Sequence, residues 1–593
     1  MRSPADEYAE RLSAREAKVS AFTKVQAQVG YGRLLLATVT LVAAGYSFRA
    51  HAFSPYWLWV PIAGFIGLVA YHFRVRRDSS AAQRAAAFFR AGLLRIEDRW
   101  AGTGQQGTQF ADPHHVYAAD LDLFGKGSLF ELLCTARTRM GEDTLARWLL
   151  SPAGVQEIRE RHAALADLKG RLDFREQLAV QGENLHAGVH PQALLKWAEA
   201  LNRLQAPWIR WVATILSVLA VGTAIFWSAT GVGSPFILVL MVEVAVLYAL
   251  RGRVDDVLHG TESAFEDLRL FTALLTRIER EGFHAAPLQA LVRRLSSHAL
   301  PASRTIGRLA TIVNFAGSRR NQIVAVVAVP LMYTLHVALA AERWRRLYGS
   351  VVRSWIEVMG EFEAHLCLAA YSYEHPDDPF PQFVQGPALF QATALGHPLI
   401  SAARRVNNDV NIAGQTRVLL ISGSNMSGKS TLLRTVGINT VLAMAGAPVK
   451  AAQLQLTPLQ IGASIRINDS LHEGSSRFYA EITRLRQLFD LTGRNPDLLF
   501  LLDELLQGTN SRDRHLGAAG VVRALLARGA AGLISTHDLA LTDILGPEDH
   551  SLRNMHFQDE LDNGRMTFDF KLRDGIVTKS NAVELMRSIG LEV

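Results

Sequence analysis

Cysteine is nearly absent from this chain of 593 residues. Its two cysteines, Cys134 and Cys367, lie far apart in the sequence. A disulfide framework needs more cysteines at short spacings, together with an oxidising compartment. The sequence therefore excludes the class of small secreted proteins that disulfide bonds stabilise.

The chain also lacks internal repeats and low-complexity segments. Its opening residues are charged and follow a helical pattern, so we expect no cleavable signal sequence. The length predicts about four domains. A net charge of +7 permits contact with nucleic acid or with anionic lipid, and composition alone does not separate these two partners.

Charge is missing from four long segments. Residues 34–48 and 55–73 contain no Asp, Glu, Lys or Arg, and residues 211–228 and 232–250 contain only Glu243. These lengths approach the roughly 20 residues that cross a bilayer. Tryptophans near the segment ends, typical of an interfacial aromatic belt, are Trp57, Trp59, Trp208, Trp211 and Trp227. We predict two transmembrane helical hairpins; the alternative is two buried hairpins of a soluble protein.

Two apolar features need separate interpretation. Residues 323–340 also lack charge, but Pro330 and His336 interrupt them. We interpret this segment as a buried helix, because a fifth crossing would move the C-terminal part of the chain to the other side of the membrane. Glu243 is interpreted as protonated, or paired within the helix bundle, rather than as a functional site.

A nucleotide-binding motif occupies residues 423–431. They read G-S-N-M-S-G-K-S-T, follow a short apolar segment, and match the P-loop pattern G-x-x-x-x-G-K-[ST] at every fixed position. In this pattern backbone N–H groups surround the phosphates, Lys429 reaches the β- and γ-phosphates, and Ser430 ligates Mg²⁺. The predicted residues of this ATP and Mg²⁺ site are Gly423, Ser424, Asn425, Met426, Ser427, Gly428, Lys429, Ser430 and Thr431.

Two later segments carry the side chains that nucleotide hydrolysis needs. The apolar segment 498–502 ends in Asp503, predicted to hold Mg²⁺, and Glu504, predicted to orient or deprotonate the attacking water. The strand-like segment 532–536 ends at His537, where an imidazole can sense the γ-phosphate. A solvated acidic strand end and a capped turn are the structural alternatives. The order of these segments after the P-loop favours the catalytic interpretation.

Five motifs in this order resemble the ATPase domain of the MutS family of DNA mismatch-repair proteins. They are the P-loop and residues 461–464, 474–481, 503–511 and 535–537. Weaker similarity to the lever, or core, domain of that family begins near residue 115. The tail, residues 579–585, resembles a segment that supports dimerisation. The resemblance covers residues 115–205 and 260–593.

The resemblance implies a homodimer in which two chains enclose two ATP molecules. Ser476 would reach the γ-phosphate of the nucleotide bound by the partner subunit. The sequence departs from the family at Ser424 and Ser427, where Pro and Gly are usual, at Arg477, where Thr is usual, and at residues 505–507, where Ile-Gly-Arg is usual. The last departure puts the detailed communication between subunits in question.

The sequence has no room for the N-terminal domain with which mismatch-repair MutS proteins read a mismatch. That domain inserts the aromatic ring of a Phe-x-Glu motif into the duplex. A Phe-Arg-Glu tripeptide, residues 174–176, lies in a charged segment with a helical pattern. We interpret it as an ordinary helix face, because an intercalating side chain needs a projecting loop or strand.

Basic residues flank the charge-free segments unevenly. They are Arg2, Arg11, Arg15, Lys18, Lys24 and Arg33 before the first, Arg74, Arg76 and Arg77 after the second, and Arg251 and Arg253 after the fourth. The positive-inside rule then predicts a multi-pass protein of the inner (plasma) membrane. Both termini and the ATPase domain would lie in the cytoplasm. Arg49 and His51, in the turn of the first hairpin, oppose this orientation.

Arg343, Arg345 and Arg346 are interpreted as a solvated helix face rather than as DNA contacts.

These observations predict an α/β P-loop NTPase domain of ABC type, an all-α lever domain and two transmembrane hairpins. The predicted boundaries are 1–110 for the N-terminal helix and first hairpin, 111–207 and 253–385 for the lever, 208–252 for the second hairpin, and 386–593 for the ATPase. We expect ATP hydrolysis at a dimeric site, coupled to DNA binding. The alternatives are an ATP-driven membrane or signalling protein and a nucleotide-sensing scaffold, both without DNA binding.

Overall fold

A computed structural model describes residues 2–49, 54–181, 191–204, 206–262, 265–296, 300–318, 328–466, 477–493, 497–507, 509–546, 549–562 and 565–577. The chain divides into two compact units. The first comprises Met1–Arg90, Ala136–Gly141 and Arg171–Glu363, and the second comprises Ala91–Thr135, Glu142–Gly170 and Ala364–Val593. The five-part division by sequence stays a prediction.

The first unit is helical in its described part. Its helices are α1 Pro4–Arg49, α2 Trp59–Ile96, α6 Leu172–Val180, α7 Pro191–Ala198, α8 Pro207–Thr230, α9 Ser234–Glu262, α10 Phe265–Glu279, α11 Ala286–Leu295, α12 Ala302–Ser318 and α13 Tyr333–Glu374. Two of them, α2 and α13, continue into the second unit. Between them in the chain lie α3 Leu129–Leu133, α4 Arg139–Leu150 and α5 Val155–Leu168.

Four helices of the first unit are long and apolar enough to cross a membrane. They are Pro4–Arg49, Pro55–Ile96, Pro207–Thr230 and Ser234–Leu258, which contain the four charge-free segments. Only 6% of the most apolar window of the first, and 11% of that of each of the others, is buried by the rest of the chain. The apolar side chains of these helices therefore point mostly away from protein.

The remainder of the first unit encloses a packed aromatic core. Phe174 contacts Phe283 at 5.6 Å and Phe362 at 6.0 Å between ring centroids. Phe174 is almost fully buried on α6, so the interpretation of residues 174–176 as an ordinary helix face is confirmed. In the apolar segment 323–340, Met332, Leu335 and Ala338 are buried and Leu331 and Ala340 are exposed, while residues 323–327 lie outside the described residues.

Charged side chains of α13 are buried in this unit. The Glu363 carboxylate accepts hydrogen bonds from the backbone N–H groups of Arg137, at 2.9 Å, and Thr138, at 3.2 Å. Burial raises the pKa of Glu363 to about 7 although these bonds and the Arg137 guanidinium oppose the shift. Arg345 is buried and pairs with Glu342, so its interpretation as part of a solvated face was wrong.

The second unit is built around two sheets. A six-stranded sheet has the order β10-β9-β4-β8-β7-β6, parallel except for the β9–β10 pair. A four-stranded sheet has the order β1-β5-β2-β3. The strands are β1 Gln382–Phe383, β2 Phe390–Leu395, β3 Asn408–Ile412, β4 Val418–Ser422, β5 Gln453–Leu456, β6 Leu459–Ser464, β7 Asp497–Asp503, β8 Ala531–Thr536, β9 Leu552–Asp562 and β10 Arg565–Asp574.

Helices cover the larger sheet, as continuous apolar strands require. They are α14 Lys429–Ala445, α15 Arg477–Leu491 and α16 Ser511–Ala527. Every residue of β4 and β8 is buried. Gly437 of α14 lies against Leu121 and Leu501, whose side chains a Cβ would approach to 2.6 and 2.7 Å. This close approach fixes α14, and thereby the loop before it, against the sheet.

Candidate nucleotide site

The predicted site residues lie after three neighbouring strands. In the order β4-β8-β7, the loop 423–428 follows β4, His537 follows β8, and Asp503 ends β7. These strands are parallel, with Ser422 opposite Thr536 and Asp503 opposite Ser535. Their carboxyl ends therefore share one edge of the sheet, the usual ligand position in open α/β sheets.

The loop 423–428 has the backbone conformation of an anion cradle. Gly423, with φ 153°, and Gly428, with φ 107°, adopt conformations that favour glycine, and a Cβ on Gly423 would lie 2.9 Å from Ser427 Oγ. Met426 also has positive φ, 70°, and its side chain is 85% exposed. A non-glycine residue held in this region is strained, which is common at ligand-binding loops.

Two hydroxyl groups test whether a phosphate fits this loop. The Oγ atoms of Ser424 and Ser427 are buried and have no hydrogen-bond partner among the residues that the structure describes. Orphaned buried hydroxyls are rare, and phosphate oxygens would accept from both. The residues therefore fit a phosphate, and the departures at these two positions add donors to the loop.

Lys429 begins α14 and is buried beside the loop. Its ammonium group donates to the carbonyl oxygens of Gly423 at 2.9 Å and Ser424 at 2.8 Å. Burial lowers its pKa, while the negative charges of Glu504 and Asp503 oppose that shift. Both carboxylates thus act on the ammonium group electrostatically, as a shared phosphate and metal site requires.

Ser535 organises the acidic end of β7. Its hydroxyl donates to Asp503 Oδ1 and accepts from the backbone N–H of Glu504 at 3.2 Å. Ser535 is fully buried, and its carbonyl also accepts from Glu504 N–H at 3.1 Å. In the sequence, Ser535 is predicted only as part of a motif; a small polar residue inside an apolar strand marks the position, but the partner that it contacts depends on the strand pairing.

The backbone after β7 is a strained turn. Glu504, with φ 54°, and Leu506, with φ 58°, both lie in the left-handed region. Glu481 of α15 is buried and accepts from Leu506 N–H at 2.6 Å. Arg514 of α16 donates to the carbonyl oxygens of Leu506 and Gln507, at 3.3 and 3.4 Å. Helices on two sides thus fix the turn that carries Glu504.

Glu504 and His537 lie close to each other in the structure, and a third residue contacts both. His537 Nδ1 lies 3.5 Å from Glu504 Oε1. Gln507 Nε2 donates to Glu504 Oε2 and lies 3.3 Å from His537 Nδ1. Gln507 is one of the departures from the family pattern, and its amide orients the carboxylate that is the candidate general base.

Asp503 and Ser430 are the residues predicted to bind the Mg²⁺ that accompanies the nucleotide. Asp503 and Ser430 lie at the same strand edge, one at the end of β7 and one in the first turn of α14. No group of three or more His, Cys, Asp or Glu residues suited to a metal occurs in the described ranges. A hard cation held by one carboxylate and one hydroxyl requires phosphate oxygens and water to complete its shell.

Two predicted features lie outside the described residues. Ser476, predicted to reach across a dimer, is the last residue of the segment 467–476, which lies outside the described residues. The tail segment 579–585 also lies outside the described residues. Asn425, within the loop 423–428, and Thr431, in the first turn of α14, are exposed. The roles assigned to all of these residues stay predictions.

Residues 419–592, which contain this site, match the family described as MutS domain V. The chain thus contains a domain of the MutS family. It is 26% identical over 514 residues to a DNA mismatch repair protein MutS of Myxococcus xanthus, an alignment that covers 79% of this chain and 56% of that protein. It therefore spans about half the length of this relative.

Shorter alignments reach higher identity. An Endonuclease MutS2 of Thermus thermophilus is 32% identical over 196 residues, 33% of this chain and 25% of that protein. A DNA mismatch repair protein MutS 2 of Halobacterium salinarum is 31% identical over 259 residues, 43% of this chain and 28% of that protein. The similarity to these two relatives is thus confined to less than half of the chain.

Proposed function

We propose that this MutS-family chain is a membrane-anchored ATPase. The observation that carries the ATPase assignment is the meeting of the loop 423–428, Asp503, Glu504 and His537 at one sheet edge. The orphaned hydroxyls of the loop and its positive-φ residues support phosphate binding. Asp503 and Ser430 would hold Mg²⁺, and the bound ion would neutralise charge on the transferred phosphoryl group.

The residues of the chain divide the remaining work. Lys429 and the loop N–H groups bind the phosphates, and the positive end of α14 adds to their attraction. Glu504 orients a water molecule and accepts its proton, with Gln507 and His537 holding the carboxylate from two sides. Homodimerisation through this domain would bring Ser476 of a second chain to the γ-phosphate.

Turnover of ATP by the full chain in neutral detergent tests the ATPase assignment. We expect Lys429→Ala to weaken nucleotide binding itself. Glu504→Gln should retain nucleotide binding while hydrolysis falls by about a hundredfold or more, because a carboxamide does not accept the proton. Glu160→Gln, on the exposed side of α5, is the matched control. Equal turnover of wild type and Glu504→Gln would remove Glu504 from the mechanism.

The membrane assignment is supported by the four candidate spans and their exposure. Large apolar side chains such as Leu35, Trp57 and Ile225 are about two-thirds exposed, and continuous apolar surface on a soluble monomer is rare. The turn Gly231 connects α8 and α9, is exposed, and has open space around it. In sealed spheroplasts a tag inserted at Gly231 should be accessible to protease, and tags at either terminus should be protected. Recovery of the full chain without detergent would contradict membrane anchoring.

DNA is the partner that the names of the relatives favour, and we propose that ATP binding is coupled to it. Binding through arginine and lysine contacts to phosphates should fall steeply with salt. A chain whose ATP turnover responds to lipid or protein partners but which shows no salt-dependent DNA binding would instead be an ATP-driven membrane or signalling protein. A chain that binds ATP without measurable turnover would be a nucleotide-sensing scaffold.

A further inference from the structure

A cavity of about 750 Å³ lies in the first unit beside the beginning of α8. It is bounded by α8, α12 and α13, and its volume is in the range of small-molecule sites. None of the residues discussed for nucleotide binding contributes to it. We refer to it below as the basic cavity, because of the side chains that line it.

Four arginines line the basic cavity: Arg210, Arg308, Arg343 and Arg346. All four are exposed, and none forms an ion pair with a carboxylate among the residues that the structure describes. Four guanidinium groups around one cavity repel one another, so an anion bound between them would relieve the repulsion. Guanidinium groups bind phosphate in bidentate geometry, which makes phosphate the ligand group that this set fits best.

One carboxylate also lines the cavity, but its hydrogen-bonding capacity is already used. Glu342 is buried; it accepts from the backbone N–H of Leu204 at 3.1 Å and from that of Arg203, and it pairs with Arg345. It holds the chain that leads into α8 against α13. Glu342 therefore does not neutralise the four arginines.

The position of the cavity indicates where the phosphate would come from. Arg210 lies in the first turn of α8, and the charge-free segment begins at its neighbour Trp211, which lines the cavity and is 68% exposed. An arginine followed by a tryptophan at the end of an apolar helix is typical of the headgroup level of a bilayer. His336 also lines the cavity, and its Nε2 lies 3.4 Å from Ser217 Oγ, further along α8.

The remaining wall is apolar. Ile312, Leu339 and Leu347 line the cavity together with Trp344. A cavity that combines guanidinium groups with aliphatic side chains beside the start of a candidate span matches a molecule with a phosphate head and a hydrocarbon tail. Basic pockets at transmembrane helices on the cytoplasmic side bind anionic headgroups. Duplex DNA is a stiff polymer with a charged exterior and has no alkyl chain for the apolar wall.

We propose that the basic cavity binds the headgroup of an anionic phospholipid, with the four arginines holding its phosphate and the apolar wall accommodating the start of an acyl chain. This site rests on the membrane anchoring proposed above. Through α13, which forms part of its wall, it would tie a lipid of the cytoplasmic leaflet to the helical unit.

Short-chain lipids that dissolve as monomers provide the test. The full chain in neutral detergent is titrated with dihexanoyl-phosphatidylglycerol, dihexanoyl-phosphatidylcholine and inorganic phosphate. Binding is followed by native mass spectrometry and by the fluorescence of the tryptophans at the cavity. We expect phosphatidylglycerol to bind more tightly than both other probes. The double variant Arg308→Gln/Arg343→Gln should weaken its binding about tenfold or more, because two charge-assisted hydrogen-bonding groups are lost.

The matched control removes two arginines outside the cavity. Arg304→Gln/Arg293→Gln changes the same net charge on α12 and α11, both at exposed positions, and should leave the affinity unchanged. Equal weakening by both double variants would mean diffuse electrostatic attraction and would overturn the site. Equal affinity for inorganic phosphate would overturn the lipid as source, and displacement of phosphatidylglycerol by a DNA duplex would overturn it in favour of nucleic acid.

Fractionation separates this proposal from membrane anchoring. A chain that needs detergent but binds the three probes alike retains its anchoring and loses the lipid site. A chain that is recovered without detergent but still binds phosphatidylglycerol through Arg308 and Arg343 loses its anchoring and retains a site for the headgroup.

Discussion

Two regions of this chain are rich in apolar residues, yet they are covered differently. In the second unit, the apolar strands β4, β7 and β8 are buried by the helices of their own domain. In the first unit, the most apolar windows of four helices are at most 11% buried. Both patterns arise from long apolar segments. The difference teaches that an apolar sequence predicts burial of the segment but does not specify whether protein or lipid covers it. In the first unit we propose that lipid covers these helices.

The largest expected effect is on the region that protein covers. Phe500 of β7 is fully buried, and Phe500→Ala should lower the free energy of unfolding by about 3–5 kcal/mol because it leaves a cavity in the sheet. Ile225→Ala on the exposed side of α8 should change it by less than about 0.5 kcal/mol. Denaturant unfolding of both variants in neutral detergent measures the contrast. Similar losses would show that protein covers α8 as well.

A charge on α8 tests the lipid side of the comparison. Val218 lies in the middle of α8 and is 66% exposed. In a bilayer Val218→Arg should cost about 2.5–3.5 kcal/mol of insertion free energy, and less full-length protein should reach the membrane fraction. Val218→Leu is the control. On a helix that faces water the same arginine would be harmless, so an unchanged membrane yield would argue against the span.

A titrating group in the protein-covered part of the first unit gives a smaller effect. Burial raises the pKa of Glu363 to about 7, so the native state keeps its proton to higher pH than the unfolded chain does. The unfolded chain therefore loses protons first, and the free energy of unfolding should fall as pH rises from about 4.5 to about 7. Glu363→Gln should flatten this slope. Denaturant midpoints across that pH range, compared with Glu357→Gln on the exposed side of α13, measure it.

The smallest expected effect is on DNA selectivity. Phe174 belongs to the aromatic core, and the described residues contain no projecting aromatic wedge of the Phe-x-Glu kind. Any DNA binding should depend on backbone phosphates, which carry no pairing information. In a competition between matched and mismatched duplexes we expect less than about tenfold discrimination, roughly 1.4 kcal/mol. A larger preference would mean that a reader domain has been overlooked.

The sequence predicts the site better than it predicts the surroundings of the site. The P-loop, Asp503, Glu504 and His537 follow from local patterns, because each lies where a strand ends. The roles of Ser535 and Glu481 do not, because they depend on neighbours in space: Ser535 lies opposite Asp503 across a strand pair, and Glu481 reaches a turn 25 residues away in the chain. Arg345 was misinterpreted for the same reason, since its partner is revealed only by packing.

The order of strands was likewise beyond local reasoning. The strand β9 joins the sheet beside β4, although more than a hundred residues separate them, and it carries Phe557 to the loop that contains Gly423. The α/β class follows from the alternation of apolar segments and helices, whereas the neighbour of each strand is decided by which side chains fit together. Sequence patterns therefore predict the mixed α/β and helical class, and packing decides the connections.

The hydrogen bond from Leu506 N–H to Glu481 connects helix α15 to the turn after β7, so the two move together. The helix α15 begins at Arg477, directly after the residue predicted to meet a second subunit, and its Glu481 holds the turn in which Glu504 lies. A shift of α15 along its axis would pull on that turn through this bond. In the proposed dimer, a second chain that displaced the start of α15 would therefore change the angle of the Glu504 carboxylate without touching it.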